Sequence, residues 1–152
     1  MMRALAALVV LMLSVSAYAG DIHDACALHA ACAGNSKLVG QCFEMKGVLR
    51  LWNGNPTYRI SRTGTKRIVG VLCDEDPIIP ANLKEWLNDP TIAQWDRDFR
   101  GTFEVCPFTK SKPGVMQFVC VEKVTDLTVY DRTRKRALNE NEKPAPAAGS
   151  SH

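Results

Sequence analysis

The residue types that carry most enzyme chemistry are poorly placed in this chain. Its histidines are His23, His29 and His152. Two stand in a helix-prone stretch near the start and one ends the chain. A Ser-His-Asp or Cys-His site needs a histidine held against its nucleophile inside the fold, and the long middle of the sequence has none. Paired carboxylates do occur, Glu75 with Asp76 and Asp96 with Asp98, and a carboxylate-based hydrolase would use such a pair. Both pairs fall in turn-rich connections, where acids normally cap and solvate the backbone. There is no phosphate-binding glycine loop, no H-E-x-x-H and no G-x-S-x-G. The sequence therefore predicts no catalytic residue, no cofactor and no enzyme.

The cysteines are the next candidates: Cys26, Cys32, Cys42, Cys73, Cys106 and Cys120. Cys26-x-x-His29-x-x-Cys32 puts three possible metal ligands on about one helical face, but any helix face gives that spacing. With no C-x-x-C, thiol–disulfide exchange and haem attachment are not expected. An even set of cysteines in a chain of this size reads as disulfides where the compartment is oxidising, and no metal is expected. One pairing is predicted. Cys106 and Cys120 lie equally far from Pro113 at the centre of a hairpin, so they should face each other and bond. Pairings among Cys26, Cys32, Cys42 and Cys73 stay open. A bond between Cys26 and Cys32 is disfavoured, because six helical residues rise about 9 Å.

Binding chemistry has a clearer signature. Between Met45 and Val71 every charged residue is basic: Lys46, Arg50, Arg59, Arg62, Lys66 and Arg67. Trp52 and Tyr58 lie among them. Guanidinium and ammonium groups meet phosphates or carboxylates, and an exposed aromatic ring stacks on a base or a sugar. The candidate ligand-binding residues are Arg50, Trp52, Asn53, Asn55, Tyr58, Arg59, Arg62, Lys66 and Arg67. The competing reading is that Trp52 and Tyr58 cover the core and the arginines keep outer strand faces soluble.

The elements that must hold these residues follow from periodicity. Residues 42–52 alternate apolar and polar, a strand with one buried face. Asn53-Gly54-Asn55-Pro56 is a turn. Residues 57–62 and 66–73 give two more strands joined by Thr63-Gly64-Thr65, so the three form an antiparallel meander. Pro80 opens a short helix with Leu83, Trp86 and Leu87 on one face. An Asp-rich connection follows, anchored by Ile92, Trp95 and Phe99. Trp86 and Trp95 are expected to plug one end of the core. Residues 100–108 form a fourth strand, 110–114 a hairpin loop and 115–129 a long fifth strand with Met116, Phe118 and Cys120 on one face. Residues 21–33 form an N-terminal helix stopped by Gly34-Asn35.

The order strand-strand-strand-helix-strand-strand over residues 41–129 resembles the OB-fold. Gly47 in the first strand and the Phe99-Arg100-Gly101-Thr102-Phe103 lead into the fourth are similar to OB domains. The resemblance implies a mainly β protein: a small five-stranded Greek-key barrel with a helix between strands 3 and 4. The alternative is an open antiparallel sheet with one packed helix. It also implies a ligand face on strands two and three, flanked by residues 53–56 and 110–114. The pattern GVLRLWNGNPTYRI…GTKRIVGV is similar to small exported bacterial proteins, a likeness that brings no activity with it.

Residues 1–19 read as a cleavable Sec-type signal peptide. Arg3 is its charge, residues 4–15 its apolar run, and Ala17-Tyr18-Ala19 its cleavage site. The run is shorter than the roughly 20 residues a membrane span needs. The expected product is a disulfide-stabilised domain over residues 20–131, followed over 132–152 by a basic run (Arg132 to Arg136) and a disordered tail rich in Pro, Ala and Ser. The basic run could add attraction for the same ligand. The net charge of +3 is too mild to name a partner. In the periplasm or the medium the expected ligand is an anionic glycan, another envelope component or an envelope protein, and nucleic acid is not expected. The domain is thus expected to be a non-enzymatic binding module. One alternative is a periplasmic inhibitor or immunity-type protein that blocks a partner with the 53–56 loop. Another is a weak carboxylate-based hydrolase.

Overall fold

A computed structural model describes residues 32–73, 77–87 and 92–144, with the side chains of residues 92–93 left out. The 21–33 helix, apart from Cys32 and Ala33, lies outside the described residues. So do the leader, Cys26, all three histidines and the Glu75–Asp76 pair.

The protein is mainly β. Strands β1 (Phe43–Leu51), β2 (Tyr58–Arg62) and β3 (Ile68–Val71) form the expected meander. Helix α1 (Ala81–Leu87) follows, then a 3-10 turn (Ile92–Asp96), β4 (Arg97–Pro107), β5 (Gln117–Asp131) and a short β6 (Arg136–Ala137). The strand order is β3-β2-β1-β4-β5-β6, and β3 also pairs with β5 in parallel. Hydrogen bonding thus returns to its start, so β3 and β5 leave no edge open between them, unlike an open sheet.

Period-two alternation decides what goes inside. Met45, Leu49 and Leu51 of β1 are buried with Ile60, Val69, Val71, Phe99, Phe103 and the valines of β5. Lys46 and Arg50 point the other way. Helix α1 is too short to hold itself together in water. It is held by burial of Leu83, Trp86 and Leu87, each stabilising by about 1.5–3 kcal/mol.

Curvature comes from β4 and β5. Gly101 alone opposes Asp126 and Leu127, because the register passes from Thr102↔Thr125 to Arg100↔Thr128. Asp126 takes φ 54° at this bulge, a conformation Asp tolerates better than most residues. Bulges bend and twist a strand pair. Gly101 is in turn the cross-strand partner of Gly47. A Cβ on Gly47 would sit 2.8 Å from the Ile60 side chain, so the sheet closes tightly there.

Several expectations are corrected. Cys106 and Cys120 are register partners, as the hairpin predicted, but they do not bond to each other. Cys106 bonds to Cys42 and Cys120 to Cys32. The reason lies in the ladder. Phe108 N donates to Phe118 O at 2.9 Å, so Cys106 and Cys120, two rungs on, also occupy a hydrogen-bonded position, where side chains stand farther apart. Cys42 continues the β1–β4 register to face Cys106 with a Cα separation of 4.0 Å, the spacing of a close rung. Cys73 is also disulfide-bonded. The sulfurs of Cys32, Cys106 and Cys120 lie within 4.8 Å of one another, but each is tied up in a disulfide and none is a thiolate ligand.

Strand β4 starts at Arg97, three residues before the expected Arg100. Phe99 is buried, as an anchor should be, but Trp95 is 40% exposed and plugs nothing. Trp86 alone of that pair is buried, with Arg97 over its ring at 6.0 Å. Past Asp131 the chain does not leave the body at once. Arg136–Ala137 pairs with β5, and Asn139 caps a 3-10 turn over Glu140–Glu142 that receives Arg134 and Arg136. Residues 145–152 of the expected tail lie outside the described residues.

No helix among the described residues is long and apolar enough to cross a membrane. The two disulfides described fit an oxidising, non-cytoplasmic compartment.

Candidate binding site

The nine sequence candidates do not form one surface. β2 is five residues long, and the register puts Tyr58 opposite Leu51 at one end and Arg62 opposite Gly47 at the other. Arg50, Trp52, Asn53, Asn55, Tyr58 and Arg59 belong to the first end. Arg62, Lys66 and Arg67 belong to the second.

At the first end the basic groups are already engaged. Arg50 and Arg59 are cross-strand partners on the outer face. Arg59 stacks over Trp52 at 5.6 Å and its Nε donates to Pro56 O at 2.9 Å. Arg50 donates to both carboxylate oxygens of Asp98, at 2.6 and 2.9 Å. Arg100 donates to the same carboxylate at 3.1 Å, and Arg132 lies 3.6 Å from it. Burial works to raise the Asp98 pKa. The hydrogen bonds and charges of Arg50 and Arg100 more than offset this and hold its carboxyl below the usual range. Asp98 is thus held as a carboxylate at neutral pH. Tyr58 packs against the core.

The ligand face expected on β2 and β3 is covered by the protein's own loops. Above Gly70, on the outer face of β3, a Cβ would meet the Pro56 ring at 2.4 Å and the Met116 sulfur at 2.9 Å. The β1–β2 loop and the β4–β5 hairpin therefore meet over β3, and only glycine leaves them room.

The second end is open. The β2–β3 turn and the β4–β5 hairpin lie side by side there and frame two adjoining clefts, of about 380 and 580 Å3. Arg67 and Ser111 line both and form the ridge between them. The first cleft adds Arg62 and Lys110 against an apolar wall of Val39, Phe43 and Pro107. The second adds Lys66 and Lys112 with Ile68, Val115 and Met116. Among the described residues, no carboxylate lines either cleft.

Neutral groups set the ridge. Arg67 donates to Ser111 Oγ at 3.0 Å and to Gln117 Oε1. Gln117 is buried and in turn donates to Thr109 O at 2.9 Å. The guanidinium is thus oriented without being neutralised. Among the described residues no carboxylate pairs with Arg62, Lys66, Arg67, Lys110 or Lys112. Sequence reasoning named three of these cations and the hairpin that carries the other two. It missed Thr109 and Gln117, because neutral polar residues beside a hairpin carry no signal of what they will hold.

Compared with protein-family models, with curated proteins and with solved structures, the chain matches none.

Proposed function

We propose that this protein is an exported, non-enzymatic binding module that takes an extended anionic polymer of the cell envelope across its two basic clefts. One observation carries the reading: five cations gather around two adjoining clefts that no carboxylate lines among the described residues. Such a surface raises the local concentration of polyanions and steers them in. The apolar walls suit a chain whose charged groups alternate with less polar atoms, as in an anionic glycan.

The β3–β5 closure and the helix between β3 and β4 support an OB-like Greek-key barrel. In this reading the polymer lies beside the usual OB ligand face, because Pro56 and Met116 cover that face. Residues 1–19 are the cleavable leader that delivers the chain to the periplasm or the medium. The disulfides then serve as scaffold. Binding is favoured over hydrolysis because Asp98, the carboxylate best placed for acid–base work, is locked between guanidiniums. The test is salt-dependent retention on heparin by the oxidised protein and by Arg62→Glu/Lys66→Glu. Retention unchanged in the variant contradicts the proposal.

A further inference from the structure

The engaged arginines at the opposite end form a second surface with different chemistry. Arg59, Arg50, Asp98 and Tyr130 make one outward row across β2, β1, β4 and β5, each the cross-strand neighbour of the next. At about 4.8 Å per strand the row spans roughly 14 Å. Asp98 is buried beneath it, its side chain 2% exposed, while Arg50, Arg100 and Arg132 are 37%, 50% and 44% exposed. The row keeps net positive charge, because one buried carboxylate serves three guanidiniums and the nearby Asp96 is 3.8 Å from Arg132 alone.

Two exposed indoles flank the row along one edge. Trp52 follows β1 and is 37% exposed, with Arg59 stacked on it. Trp95 precedes β4 and is 40% exposed, and its carbonyl receives Arg132. Continuing the β1–β4 register places Trp52 across from Asp96, beside Trp95. Core packing does not account for either ring. Arg100 is held over Tyr130 at 4.6 Å. These guanidiniums are therefore fixed in place before any ligand arrives, and less entropy is lost when they bind one.

We infer that this strip is a binding site for carboxylated sugar rings, a uronic-acid glycan. The indoles offer flat apolar faces to the rings. The guanidinium edges not used by Asp98 offer donors to ring carboxylates, the pairing for which arginine is best shaped. Fixed arginines beside two aromatic platforms suit repeated, singly charged sugar rings. The inference does not depend on the clefts binding anything, since the strip lies at the other end of β2.

The test is titration of the oxidised protein with oligogalacturonate, read by tryptophan emission and by calorimetry. Neutral galacto-oligosaccharide of the same length is the control. Binding of the acidic oligomer is expected, with little of the neutral one. Trp52→Ala and Trp95→Ala should each weaken it at least about tenfold, the size of one lost stacking contact. Both side chains are on the surface, so the variants should fold. Arg62→Glu/Lys66→Glu removes only what the clefts bind and should leave the tryptophan response to the acidic oligomer in place. Three results overturn the inference: no titratable binding by the parent protein, as expected if an acidic protein loop is the true occupant; tryptophan variants that bind within twofold of the parent; or loss of the tryptophan response in the cleft variant alone.

Discussion

Arg50 clamps Asp98 through two hydrogen bonds, of 2.6 and 2.9 Å, and stands directly opposite Arg59 on the neighbouring strand. A carboxylate that is almost fully buried is thus satisfied by guanidiniums that remain in contact with water. Removing the acid leaves three arginines facing one another. Removing one arginine leaves Asp98 with two. Asp98→Ala is expected to destabilise the fold by about 2–3 kcal/mol and Arg50→Ala by about 1–2, read from urea midpoints. Equal, near-zero effects would mean the cluster is ornamental.

The same cluster sets an acid dependence. Asp98 has a folded pKa below its unfolded value, which is about 3.9. Its contribution is therefore fully present above that unfolded value and is lost as pH falls toward the folded one. Stability should be flat from neutrality to about pH 5 and drop below about pH 4. In Asp98→Asn this acid drop should be smaller, although stability at pH 7 is lower. A variant with the parent's acid profile would assign the drop to other carboxylates.

Disulfide mapping of unreduced protein should recover peptides joining Cys42 to Cys106 and Cys32 to Cys120, and none joining Cys106 to Cys120. The first bridge spans 64 residues and the second 88. Loops of that length make each worth about 2–5 kcal/mol, mainly by restricting the unfolded chain. Cys42→Ser/Cys106→Ser should lower the thermal midpoint without abolishing the sheet.

Gly70 lies where the two loops meet. Gly70→Ala puts a methyl against Pro56 and Met116 and should cost about 1–3 kcal/mol, the usual range for overpacking. Met116→Ala in the same chain should recover part of that loss. A neutral Gly70→Ala would show that the loops do not close over β3.

The fold was largely legible because period-two alternation and turn residues mark strands and their ends. The meander, the helix on Leu83, Trp86 and Leu87, and the opposition of Cys106 and Cys120 all follow from local pattern. Expectations failed where a non-local partner decides. Arg97 and Asp98 look like a solvated connection until Arg50 neutralises Asp98 from another strand, which lets β4 start early. The disulfide choice depended on which rung of the ladder is the close one, and hydrogen-bond parity does not appear in spacing alone. The basic face divided because β2 is short. Arg62 and Arg59 are three residues apart in sequence, yet they serve opposite ends of β2.

Binding to heparin measured from about 50 to 200 mM salt tests the central claim most directly. Four or five contacts to a flexible polyanion predict a fall of about 50- to 130-fold over that range. Arg62→Glu/Lys66→Glu should bind at least about tenfold more weakly at low salt and show a shallower slope. A variant with the parent's affinity and slope would contradict the account, because the polyanion would then be held somewhere other than the clefts around Arg67.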